Sequence, residues 1–283
     1  MKIAVASGKG GTGKSMVAAN LAYTLSLAEP VTLVDCDVEE PNLHLFFPGP
    51  GESSEVTIPV PGFDTVACDL CGRCGEFCRF GAITVLRDRV LLFPELCHSC
   101  GGCMLVCPKG AITESPVRIG TVTVSSPIPG MTLVTGLLDT GSPLAVPVIG
   151  AAKARAATHP LVLYDSSPGT ACPMITTLDG SDCCLLVTES TPFGLHDLEL
   201  AADVVHGMEI PAGVVINRSD GTDQATLDFC AEHDLEVMMT VPFDREFAVI
   251  QNRGGLLCRE RPEWQERFRA LYAGCRRLAG VSP

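Results

Sequence analysis

Eight of the fifteen cysteines in this chain stand in two quartets of identical spacing. Cys68, Cys71, Cys74 and Cys78 read C-x2-C-x2-C-x3-C, and Cys97, Cys100, Cys103 and Cys107 repeat that pattern 29 residues later. The repeat outlasts the cysteines, because Gly81-Ala82-Ile83-Thr84 returns as Gly110-Ala111-Ile112-Thr113 at the same offset. Thiols at this spacing, duplicated, suit the corners of iron–sulfur cubanes, with a pair of all-cysteine zinc sites as the competing metal reading. In a small secreted chain so many cysteines would suggest disulfides. C-x2-C clustering in a chain that also carries the Gly-rich stretch Gly8–Ser15 argues instead for thiolate ligands in a reducing cytoplasm.

Around the quartets the chain has a different rhythm. Residues 3–6 form an apolar run, a Gly-rich loop follows, residues 16–22 have helical character, and residues 31–34 are apolar again. Strand, loop, helix and strand within about 35 residues begin a parallel α/β sheet. Later runs at 161–164, 185–187, 213–216 and 237–239 are continuous in apolar character, as expected of strands covered on both faces. Each ends at a polar or turn residue, where a doubly wound sheet places its ligand. The rhythm stops between about Glu55 and Pro116 and resumes through short strands at 121–124 and 131–134. The expected organisation is an α/β domain of residues 1–56 and 117–283, with its doubly wound, mainly parallel sheet, and an inserted small α+β module at 57–116.

A net charge of −13 with only 20 Lys and Arg makes nucleic acid and anionic membranes poor partners, and a soluble partner with a basic patch a better one. No apolar run reaches the length of a membrane span, so no stable membrane insertion is expected. The opening residues read as a first strand and not as a signal peptide.

Gly8-Lys9-Gly10-Gly11-Thr12-Gly13-Lys14-Ser15 satisfies G-x-x-x-x-G-K-[ST] between a strand and a helix. Glycines let the loop curl its N–H groups toward phosphate, the following helix adds positive potential, and Met16 at its start is expected among the nucleotide-binding residues. Lys14 is expected on the β- and γ-phosphates and the Ser15 hydroxyl on Mg²⁺. A Gly-rich turn that binds nothing is the bland alternative.

Lys9 gives the loop the form K-G-G-x-G-K-S, which resembles the deviant loop of the MinD/ParA superfamily of P-loop ATPases. That resemblance implies that Lys9 reaches the phosphates of a partner in an ATP-dependent dimer, with itself or with a homologous ATPase. Without it, Lys9 is a solvated loop lysine. Asp35-Cys36-Asp37 and Asn42 look like the family's first switch, which implies Asp35 on the Mg²⁺ side and Asp37 on the attacking water. Asp165-Ser166-Ser167-Pro168-Gly169 is similar to the family's Walker B and second switch, with Ser167 in place of the usual first proline; Asp165 would bind Mg²⁺ through water. Asn217-Arg218 resembles the strand end that reads adenine, and Pro242 and Asp244 belong to a segment resembling the one that closes over the base. A strand-end Asn alone is more often a turn residue, yet its amide can donate to a ring nitrogen and accept from an exocyclic amine, so ATP is expected over GTP.

The cysteine stretch resembles a two-cluster bacterial ferredoxin, in which the fourth Cys of each run serves the other cluster. The implied sets are Cys68, Cys71, Cys74 and Cys107 for one [4Fe-4S] cluster, and Cys97, Cys100, Cys103 and Cys78 for the other. Pro108 follows the second run as usual, while Arg79 replaces the proline of the first. Of the remaining cysteines, Cys36, Cys183, Cys184, Cys230, Cys258 and Cys275 are expected to be small buried hydrophobes. Cys172, just past the second switch, is a candidate for a redox or interface role. Trp264, Phe268, Leu271, Cys275 and Leu278 lie at helical spacing, which suits a helix packed on the sheet better than a membrane-surface helix.

These readings add up to an ATP switch that gates electron transfer through two clusters to or from a redox partner. The alternative is a cluster carrier of the Mrp type serving a cluster-receiving partner. Against it, the C-terminal third lacks the C-x-x-C of that group. Spatial positioning in the MinD manner leaves eight cysteines unexplained.

Overall fold

The structure is a computed structural model and describes residues 1–281. It opens with β1 (Lys2–Ala6), α1 (Lys14–Ser26), β2 (Val31–Asp35), α2 (Leu43–Phe46) and β3 (Gly51–Phe63). The cysteine stretch contributes α3 (Arg73–Phe77), the hairpin β4 (Ile83–Val85) and β5 (Val90–Leu92), and α4 (Gly102–Leu105). The chain returns through β6 (Ile112–Ser125) and β7 (Met131–Leu138), then α5 (Ala145–Ala156), β8 (Val162–Asp165), α6 (Cys172–Leu178) and β9 (Cys183–Glu189). It closes with α7 (Pro192–Gly207), β10 (Ala212–Ser219), α8 (Gln224–Glu232), β11 (Glu236–Pro242), α9 (Arg245–Asn252), α10 (Leu257–Glu260) and α11 (Trp264–Leu278).

Nine strands form one sheet in the order β11-β10-β9-β1-β8-β2-β7-β6-β3. The seven from β11 to β7 run parallel, while β6 and β3 are antiparallel additions at one edge. The central strands are buried end to end because helices cover both faces, which is why they read as apolar runs. β1 lies between β8 and β9, so the loop after β1 opens where the two halves of the sheet diverge, the usual ligand crevice of this architecture. α11 buries Trp264, Phe268, Leu271 and Cys275 in the core shared with α1. Among the described residues no helix is long and apolar enough to cross a membrane.

The return from the cysteine stretch differs from the short strands expected. β3 and β6 pair continuously from Gly51↔Ser125 to Phe63↔Ile112 and stand out from the sheet as a two-stranded arm beyond Gly120, where β7 stops pairing. The sequence carries the matching alternation, since Val56, Ile58 and Val60 are buried between exposed Glu55, Thr57 and Pro59. Pro59, Pro61 and Pro116 obscure it; they are tolerated because this stretch has no third strand to bond. Neither position 56/57 nor 116/117 breaks the ladder, but the register shifts at Val56/Thr57, where Ile119 is the extra residue of a bulge. The arm therefore bends where it leaves the sheet.

At its far end Cys74, Ile83, Cys103 and Ile112 form a small separate core, with Phe63 and Leu92 against it. The duplication is written in the backbone as well as the sequence. Leu70 and Ser99 take φ of 57° and 52°, Gly72 and Gly101 take 83° and 68°, and Gly81 and Gly110 take 67° and 59°. Non-glycine residues seldom adopt this region, so Leu70 and Ser99 mark an imposed turn at the same point of each C-x2-C.

Candidate nucleotide site and paired cysteine cavities

The Gly-rich loop wraps the carboxyl end of β1 and lines a cleft of about 710 Å³ together with Asp37, Asn42 and Pro168. Gly13 sits at φ +91°, and a Cβ there would lie 2.1 Å from Asn217 Nδ2. That amide donates to the carbonyl of Thr12 at 2.7 Å, so β10 is fastened to the loop through the residue expected to meet adenine. Lys14 Nζ donates to Asp165 Oδ1 at 3.0 Å, with side chains 7% and 0% exposed. Burial works against the Lys14 charge, but Asp165 beside it, helped by Asp37 and Asp35, more than compensates and holds the ammonium above its ordinary value.

Asp35 and Asp165 end neighbouring strands in register. Asp35 Oδ2 accepts from the backbone N–H groups of Asn42 and Leu43, each at 3.0 Å, and Oδ1 accepts from Asp37 N at 3.2 Å. It thus folds the first switch back on itself. Burial and the nearby Asp165 raise its carboxyl to about 8 despite those donors. Asp37 projects into the cleft, and burial raises its carboxyl to about 6, opposed by Lys14. Thr12 Oγ1 and Asp165 Oδ2 are buried without a protein partner, which leaves a hydroxyl and a carboxylate oxygen free for a phosphate and a hydrated cation. Together with Lys14 and Ser15 this donor set fits a Mg²⁺–nucleotide.

Two expected loop residues have further partners. A Cβ on Gly8 would lie 2.0 Å from the Asp197 carbonyl, so the glycine is required by the approach of α7. Lys9 Nζ lies 3.7 Å from Asp197 Oδ2 of the same chain, and also lines the cleft.

Adjoining the cleft is a pocket lined by Met16, Asn217, Arg218, Pro242, Asp244 and residues of α9. Asp244 caps α9 by accepting from Glu246 N at 2.7 Å, and Arg218 pairs with Glu189. Phe243, from the segment expected to close over the base, lines it too, whereas Phe247 and Gln251 also line it and were not anticipated. Phe247 and Gln251 are four residues apart on α9 and so share its inward face, the one sequence signal that could have found them.

In the cysteine module, Cys68, Cys71, Cys74 and Cys107 line one cavity, and Cys78, Cys97, Cys100 and Cys103 line another. All eight are free thiols. Burial raises the Cys74 thiol, with Cys68 and Cys107 adding to it, and burial raises Cys103, with Cys97 and Cys100 adding. Among the described residues no three His, Cys, Asp or Glu side chains converge as the ligands of one ion would. Four thiols around each of two cavities are the donor set of a pair of cubanes, which the residues therefore fit. Of the other seven cysteines, six are buried and Cys172 is exposed.

A parallel sheet that presents a Gly-rich, lysine-bearing loop between its first strand and first helix defines a P-loop nucleotide-binding protein. The chain belongs to the CobQ/CobB/MinD/ParA nucleotide-binding domain family, whose profile matches residues 3–257. It is 30% identical to the Methanocaldococcus jannaschii protein MJ0579 over 230 residues, 77% of this chain and 80% of the relative. A 51-residue stretch, 18% of this chain and 14% of the relative, is 57% identical to an iron–sulfur cluster carrier protein of Aquifex aeolicus. The fold is that of the septum site-determining protein MinD of Pyrococcus horikoshii, solved with Mg-ADP, at a TM-score of 0.59, 18% identity, and coverage of 99% of this chain and 97% of that one.

Proposed function

We propose that this protein is a Mg²⁺-dependent ATPase whose nucleotide state, in a dimer with itself or a homologue, gates electron transfer through two [4Fe-4S] clusters to or from a protein partner in the cytoplasm. The observation that carries this reading is the pair of cavities, each lined by three cysteines of one quartet and the fourth of the other. In it, residues 1–56 and 117–283 form the ATPase domain and residues 57–116 the redox module.

Within the ATPase site Lys14 would move from Asp165 to the β- and γ-phosphates, and Asp165, Ser15 and Asp35 are the residues that would hold Mg²⁺, which would neutralise phosphate charge there. Asp37 orients the attacking water from the cleft wall. Asn217 and Arg218, with Pro242 and Asp244, enclose the base. Lys9, bound only weakly to Asp197 across 3.7 Å at a partly exposed site, is free to turn to a partner's phosphates. The clusters would supply one-electron transfer, and the eight cysteines hold them.

A route between the modules is built into the packing. Val38 of the first switch accepts from Leu138 N at 2.8 Å and buries its side chain with Val56, Ile58 and Val60 at the root of the arm. Leu92 of the cysteine module packs against this same core and against the module's own. A shift of the first switch would strain one continuous apolar body, which supports gating and not mere tethering.

A second reading, a cluster carrier, is favoured by the 51-residue match to the Aquifex protein. The two separate by experiment. A gate predicts that nucleotide dissociation constants differ between oxidised and dithionite-reduced protein, with the clusters retained through turnover. A carrier predicts transfer of iron and sulfide to an apo-acceptor. Equal affinities and no loss of iron would defeat both.

A further inference from the structure

We propose that Ser167 is a positioning residue for ATP hydrolysis, its hydroxyl holding the peptide that carries Asp37 and so tying the second switch to the first. The inference rests on the ATPase reading above.

The peptide between Cys36 and Asp37 is gripped at both ends. Its carbonyl, on Cys36, accepts from Ser167 Oγ at 2.9 Å. Its N–H, on Asp37, donates to Asp35 Oδ1 at 3.2 Å. One residue earlier, Cys36 N donates to the Asp165 carbonyl at 2.9 Å, where β2 and β8 still run in register. The direction in which Asp37 leaves the strand is therefore set by a carboxylate of its own segment and a hydroxyl of the other.

Ser167 is itself held. It is 8% exposed, and its carbonyl accepts from Ser166 Oγ at 2.9 Å. Two residues on, Gly169 N donates to the Ser7 carbonyl at 3.1 Å, at the start of the phosphate loop. The segment 165–169 thus bonds to the first switch through the Asp165 carbonyl and the Ser167 hydroxyl, and to the phosphate loop through the Gly169 N–H. While the Ser167 bond lasts, neither switch can shift without the other.

The residue type matters because only a side-chain donor can satisfy that carbonyl from position 167. The proline that the resemblance leads one to expect there has no donor to offer. Replacing Ser167 leaves Lys14, Ser15 and Asn217 in place, so the cost should fall on the reaction and not on binding. Small displacements of a water-orienting group are known to be expensive in rate.

The test uses the full-length holoprotein under anaerobic conditions, with Ser167→Ala and Ser167→Thr. Ser167→Ala should lower kcat roughly ten- to hundredfold, with the dissociation constant for a fluorescent ATP analogue within about twofold of wild type. Ser167→Thr, which keeps the hydroxyl, should recover most of kcat. Amide exchange over residues 36–42 should be faster in Ser167→Ala and near wild type in Ser167→Thr. Unchanged kcat in Ser167→Ala overturns the proposal, as does weakened nucleotide binding with kcat intact. So does a threonine variant that folds, retains iron and stays as slow as the alanine. Wild-type protein with no Mg²⁺-dependent ATP hydrolysis would instead sink the ATPase reading on which the proposal stands.

Discussion

Lys14→Met removes more than a phosphate ligand. Lys14 Nζ lies 3.0 Å from Asp165 Oδ1, the two side chains being 7% and 0% exposed, and fully buried Asp35 faces the same spot. Breaking a buried pair by deleting one partner typically costs about 3–5 kcal/mol, because the other charge stays dehydrated. For a chain of this size that corresponds to a fall in Tm of roughly 6–20 °C. Replacing both partners should cost far less than the sum. Lys14→Met with Asp165→Asn should therefore recover much of the loss, with a coupling of about 3 kcal/mol in a double-mutant cycle. The assay is anaerobic urea denaturation followed by circular dichroism, in buffer free of nucleotide and Mg²⁺, for the wild type, both single variants and the double. Methionine preserves the apolar stem, so the comparison isolates the charge. A Lys14→Met protein within about 1 kcal/mol of wild type would refute the reasoning, and so would two single losses that simply add.

Purified anaerobically, the protein should carry about eight iron per chain, and Cys107→Ser should damage the cluster otherwise served by Cys68, Cys71 and Cys74. Stoichiometric zinc, or an intact first cluster in Cys107→Ser, would contradict the crossed ligand sets. Asp37→Ala should keep ATP affinity while lowering turnover by at least about a hundredfold, as read by parallel binding and phosphate-release assays. The buried Asp35 carboxyl, raised to about 8, holds a proton in the folded state that the unfolded chain gives up near pH 4. Nucleotide-free stability should therefore be highest below that window and fall as pH rises through it toward 8, by up to about 1.4 kcal/mol per unit, and denaturation of Asp35→Asn should show a flatter profile. Gly13→Ala meets both an unfavourable φ of +91° and the Asn217 amide at 2.1 Å, so it should lose about 2–4 kcal/mol of stability together with nucleotide binding.

The sequence by itself determined whatever depends on near neighbours along the chain. The Gly-rich loop and the cysteine spacing are local patterns, since the phosphate-facing N–H groups and three of each cluster's four thiols come from a few adjacent residues. The parallel strands were legible because burial on both faces demands unbroken apolar runs. The antiparallel ladder of β3 and β6 was not, because Pro59, Pro61 and Pro116 hide its alternation and its pairing partner lies up to 74 residues away, from Gly51 to Ser125. The family resemblance already put Asp35 and Asp165 at one Mg²⁺, but only the tertiary structure shows the strand register through which they meet, across a separation no local signal spans. The same register gives Lys14 its buried counter-ion and carries the Ser167 hydroxyl to the carbonyl of Cys36. Asn217 is expected at a base on resemblance alone, yet its hold on the Thr12 carbonyl exists only because β10 closes beside the loop after β1. Spacing along the chain selects the chemistry of each group, whereas the partners of that group are chosen by the order in which strands enter the sheet.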